Sequence, residues 1–254
     1  MGELETATGS QGESPFAAVQ TPRLSILHLM LWTLCSSIYF TLFRASYGVA
    51  NYGDLPSWYV ALGVASKVIQ GIITGAMLAG TIVLVSARVQ SGPPMLRHPG
   101  HWFLFISAIL YLIYLPFAIS LLLLKDSGLI GTSYFVIYGV IFLFPPIAYV
   151  FAAHHNRARR WKVLFVALAV VALAQCLYFV GFGLSAVRPG SWFGILSEIR
   201  SWGTLLLAGA VLAVSVVDLV AGQRRDWLHW TGVTTHVTAS SVTVLWMIGP
   251  WFIR

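Results

Sequence analysis

The sequence predicts an all-α polytopic membrane protein, a helical bundle of about seven transmembrane helices. Three observations carry that prediction. The 254 residues are 58% hydrophobic and only 9% charged, whereas soluble domains carry about 25% charged residues. Apolar runs recur at close to the ~20 residues that a helix needs to cross the hydrocarbon. Ten Trp and ten Tyr suit the membrane interface, where amphipathic rings settle. A soluble chain of this length has too much surface for so few charges. The net charge of +7 lies almost entirely between the apolar runs. Orientation and anionic headgroups account for it there, so no nucleic-acid partner is expected.

Residues 1–22 are polar and acidic, with Glu3, Glu5 and Glu13, and read as a disordered tail. Residues 23–254 form one transmembrane domain. Its first span covers about 24–43, between Pro22-Arg23 and Arg44. The second covers about 66–87 and ends before Arg88. Counting ~20 residues back from Ala87 sets Lys67 at the outer boundary, where it can snorkel. A start at Trp58 would instead place Lys67 inside the membrane and make it a functional candidate. Gly71, Gly75 and Gly80 give the spacing that lets helices approach closely. That face serves packing within the protein or a helix–helix oligomer between copies.

The third span covers about 102–124. Pro116 lies inside it, removes the hydrogen bond to the Leu112 carbonyl and predicts a kink. The fourth, about 129–152, is interrupted by Pro145-Pro146 near its far end, which frees carbonyls that need partners in lipid. A basic run from His154 to Lys162 follows. The fifth span covers about 163–187, with Gln175 at its centre. Arg188-Pro189-Gly190-Ser191 is a turn, and Trp192 to Arg200 reads as a short interfacial segment. The sixth span covers about 202–221 and is closed by Gly222. The seventh, about 231–253, is rich in hydroxyls: Thr234, Thr235, Thr238, Ser240, Ser241 and Thr243. Such hydroxyls usually bond back to their own helix. Cys35 and Cys176 fall inside apolar spans and read as small buried residues rather than a disulfide or metal pair.

Positive charge marks the cytoplasmic side of short loops. With the amino terminus inside, that side holds Arg23, Arg88, Arg97, Arg157, Arg159, Arg160, Lys162, Arg224 and Arg225, against Arg44, Lys125, Arg188, Arg200 and Arg254 outside. Arg157, Arg159, Arg160 and Lys162 are the main topology anchor, and these cations suit anionic headgroups of the bilayer. The carboxyl terminus is then outside. All seven histidines fall on the inner side: His28, His98, His101, His154, His155, His229 and His236.

Two resemblances bear on identity. The block Pro22-Arg23-Leu24-Ser25-Ile26-Leu27-His28-Leu29-Met30-Leu31-Trp32-Thr33 resembles the opening of uncharacterised bacterial multi-pass membrane proteins of the planctomycete type. That implies a bacterial inner membrane and no particular activity. Seven spans with inner-side His and Asp resemble, in outline, the adiponectin-receptor and alkaline-ceramidase class of zinc-dependent membrane hydrolases. That class carries an HxxxH pair in its last helix. Here Ser240 and Gly232 stand four residues from His236, so the pair is absent.

The sharpest site constellation is His28, Asp218 and His236, each within the membrane near one face. Imidazole and carboxylate are Zn²⁺ ligands, and three of them with a water make a catalytic arrangement. Haem is the other cofactor that inner histidines serve. The plainer reading is preferred to either: histidines suit the headgroup region and cap helix ends. No Walker loop, GxSxG, CxxC or HExxH occurs. The expected function is that of an integral membrane protein, structural or a subunit of a membrane assembly. The alternatives are an inner-side metal- or haem-dependent enzyme, and a small transporter with its path along the last span, the break in the fourth and Gln175.

Overall fold

The computed structural model describes residues 24–47, 57–91, 96–124, 132–184, 191–223 and 225–248. The expected tail, 1–22, lies outside them, as does the end of the last expected span. The described residues form eight helices: α1 (Ile26–Tyr47), α2 (Ser57–Ser91), α3 (Pro99–Leu124), α4 (Thr132–Ile141), α5 (Phe144–His155), α6 (Arg159–Leu184), α7 (Ser191–Val220) and α8 (Trp227–Ile248). The all-α class holds. α4 and α5 are the two halves of one rod, so the bundle has seven rods. Val60–Val89, Pro99–Pro116, Ile137–His155, Arg159–Gly181 and Trp192–Val220 are long and apolar enough to cross a membrane, and Ile26–Thr41 is a shorter apolar helix. α8 has the length for a span, but its Thr, Ser and His residues dilute the apolar ones.

Where helices start and stop follows local chemistry. Pro145 and Pro146 lie in the first turn of α5, where a missing N–H costs nothing. The preceding turn tightens, with Leu143 N–H donating to Val140 O at 3.1 Å. The break expected in the fourth span is therefore present, at Phe142–Leu143. α3 runs on as helix through Pro116. α7 ends in a glycine cap: Gly222 has φ +68°, Gln223 N–H reaches Asp218 O, and Gly222 N–H reaches Leu219 O, each at 3.0 Å. This is the Schellman pattern, for which glycine supplies the left-handed residue.

Two boundaries differ from the sequence reading. α2 is continuous from Ser57, with no break at residue 66. Nothing between Trp58 and Lys67 terminates a helix, so Lys67 lies ten residues in, where its Nζ donates to Gln70 Oε1 at 3.2 Å. Trp192 to Arg200 is not a separate interfacial segment but the first part of α7. Arg200 is thus held within a helix, its guanidinium 4.1 Å above the Tyr178 ring, a cation–π contact.

α1 packs on α2, α2 on α3 and α8, α3 on α8, α8 on α7, and α6 on α4, α5 and α7. Three of the glycines of α2, Gly71, Gly75 and Gly80, meet side chains of this chain's own helices. Gly71 abuts Phe40 and Tyr39, Gly75 abuts Ser36 and Trp32, and Gly80 abuts Leu104. Close approach also lets the Trp32 indole donate to Ile72 O at 2.9 Å. One apolar core joins Phe103, Tyr149, Trp161, Phe165, Val211 and Val233; a second joins Ile73, Met77, Leu84, Leu104 and Leu228. Cys35 and Cys176 are buried free thiols, as expected, and Cys176 Sγ donates to Gly139 O at 3.2 Å. Val170, Leu206, Val216 and Val220 face outward, which suits contact with a lipid bilayer.

Candidate functional site: a buried polar clamp at one end of the bundle

One end of the bundle gathers the starts of α1, α3, α6 and α8 and the ends of α2, α5 and α7. All seven histidines lie there. His28 packs on Trp227, His98 on His101 and His229, His154 on His155 and His155 on Trp102, and His236 on Phe103. This is the basic end.

Its centre is built from two carboxylates. Asp218, in the last turn of α7, is fully buried. The Schellman turn reverses the chain just beyond it, so Arg225 folds back and donates from NH2 to Asp218 Oδ2 at 2.6 Å. From α6, Arg160 ion-pairs with Asp218, and the Trp161 indole donates to Oδ2 at 2.9 Å. Two hydrogen-bond donors and a second cation therefore converge on one carboxylate. Arg225 NH1 also meets His98 Nδ1 at 3.0 Å.

Asp226 is the second carboxylate. It is the N-cap of α8, accepting the His229 N–H at 2.8 Å, a role for which Asp is well suited. His101 Nε2 bridges both its oxygens at 2.9 and 3.0 Å. His98 Nε2 stands 3.8 Å away. α8 in turn caps α3. With Pro99 at the first position of α3, the next orphan donor is Gly100 N–H, and it donates to His229 Nδ1 at 2.9 Å. Accepting there fixes the tautomer, leaving the His229 proton on Nε2. That Nε2 and His101 Nδ1 are buried without a hydrogen-bond partner among the described residues. Gly100 and Gly232 let the two backbones touch, because a Cβ on either would strike the backbone of the other helix.

The clamp is balanced in charge: Arg160 and Arg225 stand against Asp218 and Asp226, before any proton on the imidazoles. His98 and Asp226 sit in the turns before α3 and α8, outside the spanning segments. Burial pushes His98 down to about 4; Asp226 opposes that shift, and His101, Arg225 and Arg97 add to it. Burial resists ionisation of Asp226, but the hydrogen bond and charge of His101, the His229 N–H and His98 outweigh it. Its carboxyl is held below the ordinary value.

Both shifts act in one direction. Below the ordinary histidine value of 6.5, an unfolded chain gains a proton that folded His98 refuses until about 4. Stability is complete above that window and falls through it, by at most about 1.4 kcal/mol per pH unit, less solvent screening. Asp226 adds a loss at lower pH, as the medium reaches its depressed value. Thermal unfolding in detergent should therefore show Tm falling between pH 7 and 4, with a shallower fall in His98→Gln. A Tm independent of pH over that range would contradict the clamp's ionisation.

Trp161→Phe keeps an aromatic ring and removes one donor from Asp218. A hydrogen bond to a charged group contributes about 1.5–3 kcal/mol, so this variant should unfold earlier by that amount in the same assay. An unchanged Tm would show that the indole N–H is dispensable.

The three residues singled out as metal ligands have separate partners. His28 Nδ1 accepts from Ser25 N–H at 3.1 Å, Asp218 is held by Arg160, Trp161 and Arg225, and His236 stacks on Phe103 at 4.3 Å. Among the described residues no group of three or more His, Cys, Asp or Glu side chains is arranged to hold a metal ion. Of the topology anchors, Arg157, Arg159 and Lys162 are exposed, while Arg160 turns inward. The hydroxyls of Thr234, Thr235, Thr238, Ser241 and Thr243 bond to carbonyls of α8 itself.

The sequence reading missed Asp226, Arg225, Trp161 and the pairing of His98, His101 and His229. Part of the signal was local: an Asp three residues before a His, after a glycine-closed helix, is an N-cap pattern. Compared with known proteins, the chain matches no family model, no curated protein and no solved structure.

Proposed function

We propose that this integral membrane protein is a non-catalytic structural element or subunit of a membrane assembly, whose rigidity comes from the clamp at its basic end. The observation that carries the reading is the state of Asp218. A carboxylate at membrane depth marks a site by default, but this one is neutralised by ion pairs to Arg160 and Arg225 and accepts from the Trp161 indole. Such a group positions helices. The apolar outer faces, that of α7 above all, are what the protein offers to lipid and to other subunits.

The purified full-length protein should hold neither metal nor haem, by elemental analysis and Soret absorbance, and should behave as a rigid species. Stoichiometric zinc or haem that disappears in Asp218→Asn or His236→Gln would overturn the reading in favour of the inner-side enzyme built on His28, Asp218 and His236.

We also propose a bacterial inner-membrane location with the amino terminus cytoplasmic. Arg157, Arg159 and Lys162, exposed at the basic end, support it through the positive-inside bias. Reporter fusions at residue 1 and at residue 254 should report cytoplasm and exterior respectively; the opposite pair would invert the topology.

A further inference from the structure

Arg160 and Arg225 each meet the carboxylate of Asp218. Arg200 is treated differently. It lies inside the apolar span Trp192–Val220, half-buried, with its guanidinium 4.1 Å above the Tyr178 ring. No hydrogen bond or ion pair joins that guanidinium to a described residue, and its Nε is buried without a partner. The acids among the described residues are Glu198, Asp218 and Asp226. Asp218 is about 27 Å away along α7, at 1.5 Å per residue, and Asp226 lies beyond it. Glu198 is exposed and stands two residues from Arg200, about 200° around the helix. α6 and α8, the helices packed on α7, carry no Asp or Glu. A guanidinium stacked on an aromatic face keeps its N–H donors, which lie in its own plane, for another partner. A cation at this depth calls for a counter-charge, and the described residues supply none.

Depth points to its source. Measured from Val220, the end of α7, the ~30 Å of hydrocarbon takes about 20 residues and ends at Arg200. Trp192 and Trp202, both exposed, bracket Arg200 along α7, and exposed Trp marks the headgroup level. Ile199 and Leu205 beside it also face outward, so the guanidinium lies next to lipid. Gln175 stands one turn before Tyr178 on the same face of α6, about 4.5 Å nearer the membrane centre. It is half-buried. One further turn inward, Gly203 of α7 closes on Val171 of α6, so this face of α6 is the one that meets α7. From the centre outward the seam therefore presents an amide and then a guanidinium. A phospholipid presents its ester carbonyls and its phosphate in the same order.

We propose that Arg200, with Tyr178 and Gln175 on the seam of α6 and α7, is a binding site for the phosphate of one phospholipid in the leaflet opposite the basic end. The guanidinium fork takes two phosphate oxygens, the bidentate geometry that arginine supplies. Tyr178 fixes the plane of the fork, and the Gln175 amide donates to an ester carbonyl.

Native mass spectrometry of the full-length protein tests this. The protein is released from vesicles of phosphatidylglycerol mixed with the phosphate-free lipid monogalactosyldiacylglycerol, with matched chains. The wild type should retain one phosphatidylglycerol about tenfold more often than the galactolipid, as charge-assisted hydrogen bonds imply. Arg200→Gln should abolish that preference. Should this variant fail to fold, Arg200→Lys keeps the charge without the fork and should lower retention about threefold. Equal retention of the two lipids by the wild type overturns the proposal without recourse to a variant. So does undiminished retention in a folded variant. A second arm adds inorganic phosphate to the lipid-free wild type, and no adduct is expected. A phosphate adduct that disappears in Arg200→Gln would make the site one for a soluble anion and overturn its assignment to lipid.

Discussion

Asp218→Ala is expected to destabilise the protein by about 3–5 kcal/mol, the cost of leaving a buried ion pair with one partner missing. The side chain of Asp218 is 0% exposed, and the two guanidiniums it neutralises are 32% exposed for Arg160 and 11% for Arg225. Without the carboxylate, Arg225 retains Gln223 Oε1 as an acceptor but loses its ion-pair partner. The two arginines then repel each other across the vacated space. Arg160 can escape toward water more readily than Arg225, so the double variant Asp218→Ala, Arg225→Ala should recover part of the loss. Unfolding of the purified protein in detergent measures both. A single variant as stable as the wild type would refute the view of Asp218 as the pivot of the basic end.

Gly100→Ala should be comparably severe for a different reason. A methyl there falls 2.6 Å from both the carbonyl carbon and the Cα of His229, and backbone on backbone cannot yield by rotating a side chain. Alanine gains roughly 1 kcal/mol over glycine in a helix interior, but overpacking costs about 1–3 kcal/mol and occasionally more. Separating α3 from α8 also breaks the bond from Gly100 N–H to His229 Nδ1. The net expectation is a loss of about 3 kcal/mol, with a matching effect for Gly232→Ala, whose methyl would sit 2.7 Å from the Gly100 carbonyl carbon. Gly80→Ala is the control. Its methyl meets a terminal carbon of Leu104 at 3.1 Å, the mobile end of a side chain, and should cost less than about 1 kcal/mol. Yields of monodisperse protein and Tm values that rank the three alike would contradict this account of the crossing.

The class of the fold was legible because apolar length is a one-dimensional property of a chain. So were the Pro145-Pro146 break and the Gly222 stop, since proline and glycine act where they stand. Gathering the histidines at one end was also legible, because alternation of spans follows from counting them. Which histidine meets which carboxylate was not. His101 and Asp226 are 125 residues apart, and their meeting depends on the rotation of α3 and α8 about their axes. Span length carries no information about rotation. The pairing of Arg160 with Asp218 was hidden for the same reason: Arg159 and Arg160 are adjacent in sequence, and about 100° of helical turn separates the directions in which they point. The extent of α7 was misjudged because a long helix can outrun the hydrocarbon, and nothing between Trp192 and Arg200 stops it.

The capping of α3 by a side chain of α8 bears on the order of biosynthesis. Gly100 N–H finds its acceptor on His229, 129 residues later, and Arg160 finds its carboxylate only when residue 218 has been made. A nascent chain halted after α6 would carry an uncompensated arginine and an uncapped helix start. The basic end is therefore complete only when α8 enters beside α3, and α8 acts as its latch. Chains truncated before Trp227 should accumulate as substrates for membrane quality control, whatever the hydrophobicity of the helices they retain.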